Sequence, residues 1–551
     1  WAYGNMFYSL MQKINPGHPV PRLPWMLTCF SGLAFLGLIF TALSLLMPLG
    51  GWLAQVFLVV PALLFYLLPG SAPINFPGLW KKIKSITSIP AWISLPLAAS
   101  VLLVLTMHAW VINHPDTLAY HAQNIKWVED YPAVPGIANL KYHYGLQSSW
   151  FVLCALFSFG FTGTNALTFV NATIIIWFLA FVFQRIQVHI EQGEWKHGLL
   201  WLLLLVIAFW SYTQIRLTLT SASPDFPAVL FSWFIFYLFL RQNQKADIVF
   251  YLSLIVFAFF AASIKLFAIP VIVFTFICYY FWFKPKGVGK LLLPVIFALL
   301  AFAPFLARNF ISSGYVLFPS PAPDLFQVDW KAPGEQIVSI HKYIKAYART
   351  QAGEEDFIAV SKMNAAQWMP VWWNLRSIAD KTLLAITAFL FVCSILFARK
   401  IYIKKNRPFL PVFVCSILGM IFWFTRAPDP RFGFGYLVAF CGIILYLMME
   451  NMVPSKKNRL VPYGTLILGL VIFAYTIYRL TYFFRVENLV YPSGIENQPY
   501  QKTDYNEITF NIPADSSECG SIPLPCTKLD KNSFEPRGKS IESGFRSKTI
   551  H

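Results

Sequence analysis

Charge is what this chain is short of. Only 12% of its 551 residues are Asp, Glu, Lys or Arg, and just 25 are acidic, about half the charged share of an ordinary soluble domain. A surface that faces water on all sides needs more charge than that, so a soluble globular fold is excluded. Cysteine is scarce as well. Six of the eight lie in apolar segments, where they read as small core residues, and no paired Cys-x-x-Cys metal site occurs. There is no Walker-type phosphate loop, no nucleophile elbow and no internal repeat. The start of the chain shows no cleavable signal-peptide pattern, and the absence of an initial Met is expected to reflect trimming.

Apolar and aromatic residues fill the gap: 57% of the chain is hydrophobic, with 53 Phe, 25 Tyr and 19 Trp. Stretches long enough to cross a bilayer, or nearly so, run over 27–48, 51–69, 91–112, 165–184, 199–215, 226–241, 248–263, 266–283, 290–307, 382–398, 408–424, 432–449 and 461–483. The expectation is an all-α polytopic membrane protein with about 13 transmembrane helices and interfacial helices in its outer loops. Lys81, Lys82, Lys84, Arg241, Lys245, Lys284, Lys286, Lys290, Arg399, Lys400, Lys404, Lys405, Arg407, Lys456, Lys457 and Arg459 collect in loops on one side, which the positive-inside rule makes cytoplasmic. The alternation holds only if Leu146 to Phe161 is not a span; it is expected to lie in the outer interface, behind Tyr142-His143-Tyr144. Sorted this way, the net charge of +18 divides into about +16 inside and about +2 outside. The basic balance therefore reflects topology and anionic lipid headgroups and gives no support to nucleic-acid binding.

Three units follow: residues 1–90 with two extra spans, a transmembrane module over 91–484, and an outward tail or cap over 485–551. Long outer loops cover 113–164 and 308–381. In the tail, the spacing of Cys519 and Cys526 in an oxidising compartment favours a disulfide over two free thiols. In the second loop His341, Trp368, Trp372 and Trp373 read as interfacial packing, and in the first loop Glu129-Asp130 reads as a solvated face.

Chemistry is expected where polar residues meet helix ends. Asn113-His114-Pro115-Asp116-Thr117-Leu118-Ala119-Tyr120-His121 follows an apolar run and puts a carboxylate at a helix mouth, where it meets water and substrate together. Asp116 is either a base acting at the membrane surface or the cap of a short helix behind Pro115. Asp225, in Ser223-Pro224-Asp225-Phe226-Pro227, lies level with it. Lys265 interrupts an apolar hairpin and needs either an outward bend or a partner in the bundle. Arg308 opens the second loop, and Arg426 and Arg431 flank a short link between two spans. Carboxylates facing Lys265, Arg308, Arg426 and Arg431 can hold a phosphate or diphosphate, since guanidinium grips phosphate oxygens in pairs and neutralises a leaving group. Each cation alone could instead be a snorkelling helix terminus.

The order of these features resembles the GT-C integral-membrane glycosyltransferases, which include lipid A aminoarabinose transferases, protein O-mannosyltransferases and oligosaccharyltransferases. The residues that carry the resemblance are His114-Pro115-Asp116-Thr117, Ser221 to Pro227, Ser263-Ile264-Lys265-Leu266, Arg308-Asn309 through Gly314 to Pro319, and Arg431-Phe432. It covers most of residues 91–450. It implies a polyprenyl-phosphate or polyprenyl-diphosphate sugar donor, inversion at the anomeric carbon, Asp116 as base, and a cation-lined phosphate pocket. His114, Tyr120, His121 and Asp225 would orient the acceptor or the base. Many members carry paired acids in the first loop, whereas Asp116 stands between Pro115 and Thr117, which argues against a tightly held divalent metal; no metal or other cofactor is assigned. Two spans ahead of the one leading to Asp116 also depart from the simplest layout. The acceptor would be a lipid, glycan or protein at the periplasmic face of a bacterial inner membrane. Two other readings stay open: a secondary transporter coupled through Asp116, Asp225 and Lys265, and a noncatalytic subunit of an envelope assembly.

Overall fold

The structure, a computed structural model, describes residues 1–16, 23–67, 89–210, 218–241, 247–351, 353, 356–401, 404–452, 460–483, 492–514, 518–528, 530 and 532–548. Of the basic loop residues that set the expected orientation, Lys81, Lys82, Lys84, Lys245, Lys456, Lys457 and Arg459 lie outside the described residues.

Among the described residues nine helices are long and apolar enough to cross a membrane: Trp25–Leu43, Ala91–His108, Gly163–Glu191, Leu266–Phe283, Val288–Ser313, Ile378–Leu396, Arg407–Arg426, Pro430–Asn451 and Leu460–Thr481. Four further apolar stretches form helices of 16 or 17 residues, Trp52–Leu67, Trp195–Trp210, Asp225–Arg241 and Ile248–Ile264. The chain is thus an α-helical polytopic membrane protein. Helix is the form that closes every backbone hydrogen bond within the segment, which hydrocarbon demands. The hydroxyls inside these helices follow the same rule: Ser31, Thr41, Ser100, Ser253 and Thr465 each donate to the carbonyl four residues back.

Small residues let the helices approach closely. The first helix of the 91–484 module packs along the last, with Gly469 of Leu460–Phe483 seated on Pro96. In the hairpin of Leu410–Arg426 and Pro430–Met452, Gly419 lies under the Tyr436 ring and Gly433 under the Trp423 ring, each so close that a Cβ would fall 2.3 Å from the ring. Gly433→Ala is therefore expected to cost about 1–3 kcal/mol by overpacking. A melting temperature equal to wild type would contradict that.

The segment expected to lie in the outer interface forms a ten-residue helix, Ser149–Ser158, too short to span. It is not an amphipathic surface helix, however. Nine of its ten side chains are buried, among them Trp150, Leu153 and Cys154, because Trp25–Leu43, Ala122–Asp130, Phe169–Glu191 and Ile248–Ile264 enclose it.

The tail is a small β cap, which an all-α reading did not anticipate. Tyr500–Tyr505 pairs antiparallel with Ile508–Pro513, and Phe534–Pro536 with Phe545–Ser547. Phe510, Phe534 and Phe545 bury against Trp127, Val134, Ile137, Leu140 and Tyr144, so the cap sits on the 113–164 loop. Cys519 and Cys526 form the expected disulfide. The bridged segment holds the loop by its backbone: Gly520 N–H donates to the Leu118 carbonyl (2.9 Å), and the Gln123 amide donates to Gly520 O and Ile522 O.

Candidate functional site: a carboxylate and cation chain at the helix ends

The site begins with the three-residue link Ala427-Pro428-Asp429 between two spans. Pro430 starts its helix where a missing N–H costs nothing. Trp423 Nε1 donates to Asp429 O (2.6 Å), Trp372 Nε1 donates to Pro428 O (2.5 Å), and Asp429 Oδ1 accepts from the Arg431 backbone N–H (3.1 Å). The turn is pinned on three sides, and Arg431 is aimed back across the bundle end. Its Nη1 lies 3.1 Å from Asp116 Oδ2, and its Nε lies 3.8 Å from Asp225 Oδ2 and from Asp429 Oδ2.

Lys265 extends this chain of charges. The helix breaks at Lys265, whose backbone is extended, so the side chain leaves the bundle wall and pairs with Asp225 Oδ1. Both outcomes foreseen for a lysine in that hairpin, a bend and a partner, are present together. Its ammonium also lies 4.0 Å from the centre of the Phe432 ring, which stacks on Phe267 at 4.7 Å. Two buried polar side chains fix the backbone around these groups. Asn171 accepts from Trp150 Nε1 (2.8 Å) and donates to Ser223 O (3.0 Å), two residues before Asp225. Ser148 donates to Ile264 O (2.8 Å), one residue before Lys265.

Asp116 is the exposed end of the chain. Its side chain is 36% exposed against 9% for Asp225. Burial on its own would lift the Asp116 carboxyl; Arg431, followed by His121 and His114, outweighs it and holds the group well below the usual carboxylate range. His121 is buried, its Nδ1 3.2 Å from Thr117 Oγ1, and burial pushes its imidazole down to about 3. Tyr120 lies between the rings of His121 (4.4 Å) and His143 (5.2 Å), and His114 lies parallel to His121 at 6.3 Å. Beyond His143 and Tyr142 opens a polar cavity of about 1290 Å³, bounded by Lys141, Lys331 and Glu518 of the two outer loops and the cap. The pocket between Asp225, Lys265, Arg431 and Phe432 is far smaller, about 20 Å³, room for about one water molecule.

Two expected partners are elsewhere. The Val288–Ser313 helix runs on past Arg308, which therefore does not open a loop; it is 4% exposed and donates to Gln147 Oε1 (2.8 Å), Ser44 O (3.1 Å) and Ser44 Oγ (2.9 Å). Arg426 ends its helix facing outward, 6.0 Å from the Phe422 ring, and bears on His341 and Lys345 rather than on Asp116. Two members of the site were not foreseen: Asp429, which faces Arg431, and Arg376, whose Nη1 lies 3.9 Å from Asp429 Oδ2. The sequence signal for Asp429 was its place between two prolines at a helix start. With these two included, three carboxylates face three cations, and the cluster is neutral.

Glu129, expected on a solvated face with Asp130, is 8% exposed and accepts a hydrogen bond from the Ser158 hydroxyl; only Asp130 is outside, paired with Lys126 at 3.2 Å. Helical spacing turned the two neighbours to different sides. Burial pushes the Glu129 carboxyl up to about 7. A raised folded-state pKa means that its contribution is whole below the unfolded value near 4.5 and is lost as pH rises through 7. Glu129→Gln is expected to match wild type in melting temperature at pH 4.5 and to exceed it by a margin that widens to pH 7, worth about 3 kcal/mol. A margin independent of pH would show that the carboxyl titrates normally.

No curated protein and no solved structure matches this chain. One family model does, over residues 2–438, a span that includes Asp116, Asp225, Lys265, Asp429 and Arg431. The chain belongs to that family, described as Domain of unknown function (DUF8201).

Proposed function

We propose that this protein is a membrane glycosyltransferase that moves a sugar from a polyprenyl-phosphate or polyprenyl-diphosphate carrier to an acceptor, with Asp116 as general base. The observation that carries the reading is the 3.1 Å pair of a partly exposed carboxylate, Asp116, with an arginine that belongs to the same cluster as Lys265. On this reading the thirteen apolar helices are all spans of a GT-C-like fold, and the site faces the periplasm from a bacterial inner membrane.

The chemistry follows from which group each charge can serve. Asp116 takes the proton of an acceptor hydroxyl, the oxygen attacks the anomeric carbon, and the bond from that carbon to the phosphate oxygen breaks with inversion. The electron pair leaves on the lipid phosphate, which Arg431 and Lys265 neutralise. Donor-phosphate binding narrows to these two cations, since Arg308 and Arg426 are turned away. His121, Tyr120 and His114 orient Asp116 and the acceptor, and the cavity beside His143 gives a polar acceptor room. A phosphate that draws Arg431 toward itself also withdraws the charge that suppresses Asp116. The base therefore gains strength when the donor is in place.

The test is purified protein in proteoliposomes with radiolabelled polyprenyl-phosphate sugars and an envelope extract as acceptor. Label leaving the carrier lipid, with release of polyprenyl phosphate, is expected. If every carrier-linked sugar is left intact while the vesicles move a charged solute across the bilayer, the transporter reading takes its place.

A further inference from the structure

A second grouping lies beside the far end of the Pro430–Met452 helix, the one that carries Arg431. Glu194, in the turn between Phe169–Glu191 and Trp195–Trp210, holds one carboxylate oxygen 2.7 Å from His189 Nδ1 and 3.1 Å from His197 Nδ1. The three ligand-capable atoms lie within 4.8 Å of one another, and among the described residues this is the one grouping of three metal-capable side chains so disposed. His197 Nε2, the nitrogen that points away, lies 3.4 Å from Glu450 Oε1 on Pro430–Met452, and the His197 ring stacks on Tyr446 at 5.4 Å.

We infer that His189, Glu194 and His197 bind a divalent transition-metal ion, with zinc as the expected occupant and Glu450 as the carboxylate that orients His197. The two imidazole nitrogens favour zinc over magnesium or calcium, and the one carboxylate oxygen is compatible with it. In a tetrahedral zinc site with bonds of about 2.0–2.1 Å, ligand atoms stand roughly 3.4 Å apart. The two histidine–carboxylate spacings, 2.7 and 3.1 Å, are hydrogen-bond distances shorter than that, so an ion entering between the three side chains parts them by a few tenths of an ångström. A ligating histidine characteristically gives its second ring N–H to a carboxylate, which fixes its tautomer and direction. Glu450 Oε1 lies 3.4 Å from His197 Nε2 with no hydrogen bond formed, within a small side-chain shift of that role. Water completes the shell, since Glu194 is 46% exposed.

The consequence reaches the site at the other membrane face. Glu450 and Arg431 lie on one helix, about 28 Å apart at 1.5 Å per residue. A metal held by the turn and steadied through Glu450 fastens the end of that helix to the hairpin of Phe169–Glu191 and Trp195–Trp210. The inference stands whether or not the protein transfers sugars, because its readout is metal content.

The experiment uses the full chain in detergent, stripped with a chelator, dialysed against zinc and measured for bound metal. About one tightly held zinc per chain is expected in wild type, none in His189→Ala/His197→Ala, and about 10–100-fold weaker binding in Glu450→Gln. Equal zinc in wild type and the double variant, or no zinc in wild type at micromolar concentration, overturns the proposal. Should the double variant fail to fold, X-ray absorption at the zinc edge of wild type decides. A shell of nitrogen and oxygen with two imidazoles supports the site, and a shell containing sulfur or oxygen alone refutes it.

Discussion

Lys265→Met is expected to destabilise the protein by about 3–5 kcal/mol, and adding Asp225→Asn to the same chain is expected to recover most of that loss. The expectation rests on what each change leaves behind. In wild type the Lys265 ammonium pairs directly with Asp225, and the next cation, Arg431 Nε, stands farther off at 3.8 Å while also serving Asp116 and Asp429. Removing the lysine leaves a carboxylate that is only 9% exposed with a distant, shared partner. Methionine fills the volume against Phe432, so packing changes little and the loss is electrostatic. Removing both charges lifts the penalty, because a neutral amide in that position needs a hydrogen bond and not a counter-ion. Thermal melting of the three variants in one detergent measures the coupling. Strictly additive effects of the two substitutions would mean that the ion pair contributes nothing, and the chain of charges would lose its central link.

How much of this was legible beforehand divides along a physical line. Periodic and local information was enough for the helices, since a stretch such as 290–307 can close its backbone hydrogen bonds in lipid in only one way. It was enough too for the pairing of Cys519 with Cys526 and for the meeting of Asp116, Asp225, Lys265 and Arg431, which share one end of the bundle. Side-chain direction was not legible. Arg308 and Arg431 look alike as polar residues near helix ends, yet one is a turn and a half inside a helix and bonds to Ser44, while the other leaves a pinned turn toward Asp116. Nor could hydropathy distinguish a helix enclosed by protein from one lying at an interface, which is why Ser149–Ser158 and Glu129 were placed outside. Asp429 and Arg376 were hidden for a third reason: each becomes part of the site only through the fold of the turn between them and Arg431.

Asp116→Asn is expected to reduce sugar transfer by about 10²–10⁴-fold, the range for losing a positioned general base, while the protein keeps its melting temperature within about 1 kcal/mol of wild type. The small structural effect follows from position. Asp116 is about one-third exposed, Asn has the same shape and can still accept from Arg431 Nη1, and Asp225 and Asp429 remain to balance that arginine. Arg431→Gln separates the two roles of the pair. It removes the charge that holds the Asp116 carboxyl low, so the group returns toward or above its ordinary range under the burial that acts on it alone. The sign can be read in the acid limb of the kcat/KM profile, which reports the free enzyme with Arg431 still on Asp116. A depressed carboxyl stays ionised as pH falls, so wild type keeps its base below pH 4; in the variant the loss of rate on acidification begins at higher pH. Donor affinity falls in Arg431→Gln and is retained in Asp116→Asn. If Asp116→Asn transfers sugar at the wild-type rate, Asp116 is not the base, which must be sought elsewhere. If both variants lose donor binding equally, the carboxylate serves only to hold the arginine.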